Sequence, residues 1–462
     1  MALNCKIPTP DKYVDIMLDS ISYKYDLFNK RVLENSCGEG NILVKIVERY
    51  IDDAILRKYS LDSIKVGLQE NICGYDTDAV ALNKCRERLD GISQKYNIFD
   101  VKWNLKCSDV LSVANEKYDY ILSNPPYITH HDLSESQREM LKKKYVSCRE
   151  GRFDYYYAFL EHAILHLKDN GKMSFLIPNN IMKNVHAQTI REILISYVDN
   201  IIDLTKEDVF GKVVISPIIL TCCMHETNSI TIVDYSDKSK FVILKQQLSN
   251  KWSFFVDDEQ NSSDRFGDYF KVSNSVATLN NNIFILDEKN INSKFESGLL
   301  FKAVSPKSIR DNKRKIAIFP YQIIDQKVFR IKEDFFEKKY PNIYEYLRKN
   351  KGILKEKNAE KGSVWYEYGR SQALSSITQE KLLIPMVFSG QVNVSYSSQG
   401  ELPYAGYYIT KLKDVELDVA CKILRSKAFE SYLKKAGTKT SRNSYRISCK
   451  DIEDFRFDFS TI

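Results

Sequence analysis

The sequence predicts an α/β protein with a doubly wound, mainly parallel sheet, followed by a mixed α+β second half. Two observations predict it. Between residues 30 and 225, short apolar runs alternate with longer amphipathic ones, the rhythm of strand–helix units in a parallel sheet. After about residue 226 that rhythm fades, and Asn, Ser and Lys become dense, as in LNNNIFILDEKNINSK. The expected division is therefore into domains 1–245 and 246–462.

The elements follow in order. Val32-Leu33-Glu34 reads as the first strand and residues 42–57 as the helix after it. Ile72-Cys73-Gly74-Tyr75 reads as the second strand, with a helix over residues 78–96. Residues 103–107 and 118–122 are further strands. A helix is expected over 153–167, then the turn Asn170-Gly171, then a strand over 172–177. The second half offers short aromatic-rich strands and helices near 340–355 and 415–435.

The 462 residues are 43% hydrophobic and 28% charged, an ordinary globular balance. The start, MALNCKIPTP, lacks the apolar core of a signal peptide. The longest apolar run, over 213–224, is interrupted by Ser216 and Pro217 and is too short to span a bilayer. Ten cysteines without C-x-x-C spacing point to reduced cytosolic thiols rather than to disulfides or zinc. The net charge of +7 is uneven: residues 1–230 hold 29 Lys+Arg against 32 Asp+Glu, and residues 231–462 hold 39 against 29. A basic second half suggests contact with a polyanion.

Four motifs each close a strand. Glu34-Asn35-Ser36-Cys37-Gly38-Glu39-Gly40 joins the first strand to its helix. Its glycines permit close backbone approach to a ligand, and the acid can meet a ligand hydroxyl or amine. The third glycine of a dinucleotide fingerprint is absent, since position 43 is Leu. Asp76-Thr77-Asp78 ends the second strand, where ribose hydroxyls are held in such sheets, although Asp78 also suits a helix cap. Asp109-Val110 follows the third strand and offers an acceptor and an apolar surface to a purine. Asn124-Pro125-Pro126-Tyr127 follows YDYILS. There an amide oxygen and a proline carbonyl can accept both hydrogens of a planar –NH2 group, while the phenol offers a stacking face.

Taken together and in this order, the motifs resemble class I S-adenosylmethionine-dependent methyltransferases. The NPPY form is similar to DNA amino-methyltransferases, and the motif order to the gamma class of N6-adenine enzymes of bacterial restriction–modification systems. The resemblance extends to Ile7-Pro8-Thr9-Pro10, GRFDYYYAFLE at 151–161, GKMSFLIPN at 171–179 and FGKVVIS at 210–216. It continues, more loosely, through FGDYFKV at 266–272, VATLN at 276–280, WYEYGR at 365–370, KLLIP at 381–385 and the segment 445–457. Asn35, where the family commonly has proline, is a departure.

The resemblance implies a catalytic domain over 1–245 and a DNA target-recognition domain over 246–462. It implies catalytic roles for Asn124, Pro125, Pro126, Tyr127 and Phe210, with the adenine flipped out of the duplex. It assigns S-adenosylmethionine to Thr9, Pro10, Glu34, Ser36, Cys37, Gly38, Gly40, Asp76, Thr77, Asp109, Val110 and Asn124, with no metal. It offers Lys313, Arg314, Arg370, Lys439, Arg442 and Arg446 as DNA contacts. The implied partner is double-stranded DNA bound by a monomer in the bacterial cytoplasm, with no membrane, and a separate endonuclease is allowed for. A fused nuclease is not expected, because the sequence shows no nuclease motif.

Other readings stay open. N4-cytosine, an RNA base or a protein glutamine amide present the same –NH2 chemistry, though glutamine methyltransferases are shorter and lack a basic second domain of this size. A catalytically dead DNA-specificity subunit is a fourth reading, opposed by the intact NPPY, Gly38, Gly40 and Asp76. His162 and His166 share a helix face, but Ala163 stands where a zinc protease needs Glu. Lys142-Lys143-Lys144 reads as a solvated face.

Overall fold

A computed structural model of the chain describes residues 8–113, 116–205, 207–210, 216–248, 251–252, 264–356, 359–441 and 444–459. The chain divides into two compact units, Met1–Phe254 and Phe255–Ile462.

The first unit runs α1 (Asp11–Ser20), β1 (Val32–Glu34), α2 (Asn41–Leu56), α3 (Leu61–Asn71), β2 (Ile72–Asp76), α4 (Ala79–Lys95), β3 (Asn104–Cys107) and β4 (Tyr118–Ser123). It continues with α5 (Glu135–Lys144), α6 (Tyr156–His166), β5 (Leu167–Pro178), α7 (Gln188–Leu194), β6 (Val198–Asp203), β7 (Pro217–Cys223), β8 (Ser229–Asp234) and β9 (Lys240–Leu244). The strands form one nine-stranded sheet in the order β3-β2-β1-β4-β5-β7-β6-β8-β9. The first five neighbours are parallel, and β7 is antiparallel to both β5 and β6. The expected α/β sheet is present.

Strand alternation divides the apolar side chains between two cores. Leu33, Tyr75, Ile121, Met173, Phe175 and Leu220 face one core, which α6 and α7 cover. Val32, Ile72, Leu122, Leu176 and Ile219 face the other, beneath α1 to α4. Successive strand residues point to opposite faces, so a strand buried on both sides reads as an unbroken apolar run. PIILTCC of β7 is buried at every position. Each fully buried Leu or Ile contributes about 1.5–3 kcal/mol by leaving water.

Some expected boundaries move. α6 begins at Tyr156 rather than 153, and the Tyr155 amide before it donates to the Ile128 carbonyl. The turn at Asn170-Gly171 is an irregularity within β5: Tyr118 pairs with Leu167, whereas Tyr120 pairs with Lys172.

Among the described residues, the second unit holds two main cores of its own and a small third cluster of Val304, Leu383 and Tyr408. One lies around the sheet of residues 270–274, 407–411, 381–384 and 395–397, with helices Leu417–Arg425 and Lys427–Ala436. The expected single helix over 415–435 is two, because Ser426 is extended and its side chain caps the second helix at the Phe429 amide. The other core packs the sheet of 285–287, 315–318, 300–304 and 401–403 against helices Pro341–Lys349 and Lys351–Glu356. WYEYGR helps to build it: the buried Tyr366 and Tyr368 donate to the Ile331 and Ile318 carbonyls. Among the described residues, no helix is long and apolar enough to cross a membrane.

Candidate active site

Sheet register brings the four motifs to one level. Glu34 of β1 lies beside Gly74 of β2 and Leu122 of β4, and Asp76 lies beside Cys107 of β3. The loops that follow these strands therefore meet at the carboxyl edge of the sheet. There β1, flanked by β2 and β4, marks the reversal of strand order where such sheets bind ligands. A cleft of about 560 Å³ opens at that edge, lined by Thr9, Glu34, Cys37, Gly38, Asp76, Thr77, Asp109, Val110 and Asn124 among others.

The first loop is held tightly. Gly38 has φ +50° and Gly40 φ +83°, a region that L-residues with a side chain disfavour. A Cβ on Gly38 would meet nothing within 4 Å, so this glycine presents open backbone beside the cleft. One on Gly40 would lie 2.5 Å from Cys85 Sγ on α4, so this glycine serves helix packing rather than ligand approach. The third fingerprint position, Leu43, is fully buried in the core beneath α2.

The acids are structural as well as exposed to the cleft. Glu34 is buried and its Oε2 accepts from the Leu43 amide at 3.1 Å, satisfying the first turn of α2. Burial pushes its carboxyl well above the usual carboxylate range. Asp76 accepts from the Gly38 amide through Oδ2 and from the Asp78 amide through Oδ1, both at 2.9 Å. Asp78 caps α4 through the Val80 and Ala81 amides. Asp109 accepts from the Leu111 amide at 3.0 Å, and Val110 beside it is buried. Ser36 Oγ lies 2.8 Å from Ser123 Oγ and donates to the Asn124 carbonyl at 3.3 Å, joining the first and fourth motifs.

The NPPY corner is anchored at both ends of the Asn124 carboxamide. Nδ2 donates to Thr9 Oγ1 at 3.0 Å, and Oδ1 accepts from the Tyr127 hydroxyl at 2.7 Å. That hydroxyl also lies 2.9 Å from the Leu176 carbonyl, and with one proton it serves one acceptor at a time. Burial raises the pKa of the phenol. The Tyr127 ring meets Phe210 at 6.3 Å and 65°, and Tyr156 at 6.5 Å and 82°. Phe210 thus stands edge-on to Tyr127, not parallel to it as a second stacking wall would be; two parallel rings around a base would sit about 7 Å apart.

Sequence reasoning missed Tyr156 as a neighbour of Tyr127, and Ile128, Gln137, Tyr155 and Phe159 as cleft-lining residues. The spacing of Tyr155 and Phe159, four apart at the start of a helix, was a usable signal. Pro10 caps α1 and is exposed. His162 and His166 stack at 4.1 Å, and burial pushes the His162 imidazole down to about 3. No group of three or more His, Cys, Asp or Glu side chains among the described residues is placed to hold a metal ion.

The described basic residues expected at DNA fall on different segments of the second unit. Lys313 and Arg314 are exposed just before the strand 315–318, and Arg314 pairs with Glu288 at 3.6 Å. Arg370 is half-buried and donates to the Gly369 carbonyl. Arg446 is exposed and pairs in register with Thr438, next to Lys439. The Lys439 side chain, all of Arg442 and the residues after Phe210 in the FGKVVIS segment, 211–215, lie outside the described residues.

Similarity to a known family lies within the first unit. Residues 28–210 match the Eco57I restriction-modification methylase family. That stretch carries all four strand-end motifs, so the resemblance to restriction–modification methyltransferases holds where the cleft is built. The chain is 22% identical over 475 residues to the type II restriction enzyme and methyltransferase RM.Eco57I of Escherichia coli, covering 79% of this chain and 46% of that protein. It therefore spans under half the length of that relative. A release factor glutamine methyltransferase of Streptococcus pneumoniae is 34% identical over 106 residues, 22% of this chain and 36% of its own length. Among solved structures, the type IIL restriction-modification enzyme MmeI in complex with DNA aligns with TM-score 0.62 at 13% identity. That alignment covers 96% of this chain and 64% of the other, and it shows the fold.

Proposed function

We propose that this chain is a site-specific DNA methyltransferase of restriction–modification type, transferring a methyl group from S-adenosylmethionine to the N6 amine of an adenine flipped out of double-stranded DNA. The observation that carries the reading is the Asn124 carboxamide, anchored at the carboxyl end of β4 beside the cleft. The cleft suits the cofactor: Gly38 presents bare backbone, Asp76 and Asp109 line it, and Val110 supplies apolar surface. Those residues, with Thr77 and Cys37, would hold it, and when bound it supplies a methyl group on a sulfonium.

The chain's own residues have three tasks. The first is to hold an extruded base, whose unstacking costs a few kcal/mol. Stacking on Tyr127 offsets part of this at about 1–3 kcal/mol, with Phe210 closing edge-on. The second is to accept the amine's hydrogens at Asn124 Oδ1 and the Pro125 carbonyl. The adenine amine is a poor nucleophile because its lone pair is delocalised into the ring. Two acceptors favour a pyramidal nitrogen and stabilise the positive charge that develops on it. The third is alignment, with the amine directed at the cofactor methyl group by position alone. Pro126 keeps the corner stiff.

A second reading, transfer to a protein glutamine amide, is favoured by the short match to the release factor enzyme. Residues 255–462, with their basic balance, favour DNA instead. Calorimetry of S-adenosylmethionine binding combined with methyl transfer to unmethylated DNA tests the proposal. The expected outcome is binding by both the wild-type chain and Asn124→Ala, with transfer about 10²–10³-fold slower in the variant. Absence of cofactor binding, or transfer undiminished in the variant, contradicts the reading.

A further inference from the structure

Thr9 is only 2% exposed, and its hydroxyl accepts from Asn124 Nδ2 at 3.0 Å across 115 positions of sequence. Its own carbonyl accepts from Asn41 Nδ2 at 3.1 Å, which ties this segment to the start of α2. On the far side of the carboxamide, the Tyr127 hydroxyl donates to Oδ1. The Asn124 backbone carbonyl is held by Ser36. The side chain is thus held at one end by Thr9 and at the other by Tyr127, and its backbone by Ser36.

The two ends of a carboxamide have opposite chemistry. Nδ2 only donates, whereas Oδ1 only accepts and has two lone pairs. A substrate amine presents N–H groups, so it must meet the oxygen. A carboxamide turned end for end would set donor against donor. Accepting from Tyr127 and from an amine are compatible at one amide oxygen.

We propose that Thr9 is a positioning residue: it anchors the Nδ2 end of Asn124 so that the Oδ1 end meets the substrate amine. This rests on the methyltransferase reading and gives Thr9 a role other than cofactor contact. It makes the segment before α1 a part of the device that holds the carboxamide in place.

The test uses the full chain with Thr9→Val, which keeps the branched shape but removes the acceptor, and Thr9→Ser, which keeps the hydroxyl. For Thr9→Val the expected kcat on unmethylated DNA falls about 10–100-fold, because the half-buried Asn124 amide loses its acceptor and its fixed position. The affinity for S-adenosylmethionine stays within about threefold by calorimetry, and Thr9→Ser restores most of the rate. Thr9→Ala serves the same comparison if the valine variant does not fold. Full kcat in Thr9→Val overturns the proposal. So does a loss of cofactor affinity that matches the loss of rate, since Thr9 would then be a cofactor contact alone.

A readout without turnover separates this proposal from the functional reading. With 15N-asparagine labelling, the Asn124 side-chain amide signal, assigned by its loss in Asn124→Ala, should move in Thr9→Val and stay in Thr9→Ser. An unmoved signal in Thr9→Val overturns the proposal even if no DNA substrate is ever found. A chain that transfers no methyl group to DNA, yet shows the expected shift, contradicts the functional reading and leaves the contact standing.

Discussion

At the residue scale, Tyr127 combines two functions that substitution can separate. Its ring is the proposed stacking face, and its hydroxyl supports Asn124 Oδ1 and the Leu176 carbonyl. Tyr127→Phe keeps the ring and should cost about 3–10-fold in kcat, the range of one net hydrogen bond. Tyr127→Ala also removes the stacking surface and should cost about 10–100-fold more, as expected for a contact of 1–3 kcal/mol. Steady-state kinetics on one DNA substrate check both, and equal rates in the two variants would count against stacking. The sequence shows the phenol's ring but not its hydrogen bonds. The contact to Leu176 depends on β4 lying beside β5, a pairing that periodicity does not specify.

At the element scale, the strand–loop–helix unit from β1 to α2 shows what sequence could and could not reveal. G-x-G marked the loop, and the structure separates its glycines into one facing open space and one packed on Cys85. Gly40→Ala should lower stability by about 1–3 kcal/mol through overpacking and φ strain, read as a fall in Tm. Gly38→Ala should cost less stability, because no atom lies in the way. An equal loss in both variants would mean that α4 gives way at Cys85. Glu34 and Asp76 were legible as strand-end acids. Their backbone partners, Leu43 and Gly38, were not, because those bonds depend on how each loop folds back on its strand. In the second unit, Ser426 and Asn350 each end a helix within a run that reads as continuous. Serine and asparagine compete with helix by bonding to nearby backbone, a local effect that amphipathic spacing conceals.

At the scale of the whole molecule, charge is unevenly divided along the chain. Residues 1–230 carry the cleft with a slight acidic excess, and residues 231–462 carry 39 Lys+Arg against 29 Asp+Glu. If the basic part meets phosphate, DNA affinity should fall steeply as salt rises from 50 to 200 mM, by roughly 10³-fold for about six phosphate contacts. Fluorescence anisotropy on a duplex reads this slope, and a flat response would remove the second unit from the DNA-contacting surface. The change from βα rhythm to short mixed elements was legible in the sequence. No base contact was, because Lys313, Arg314, Arg370 and Arg446 belong to several elements whose side chains carry no sequence pattern. Transfer to an adenine amine at Asn124 leaves a distinctive product. Its most direct test is nucleoside mass spectrometry of unmethylated duplex DNA after incubation with the chain and S-adenosylmethionine. N6-methyladenine is expected with the wild-type chain and almost none with Asn124→Ala; N4-methylcytosine instead, or methyladenine at the same level in the variant, would overturn adenine transfer at Asn124.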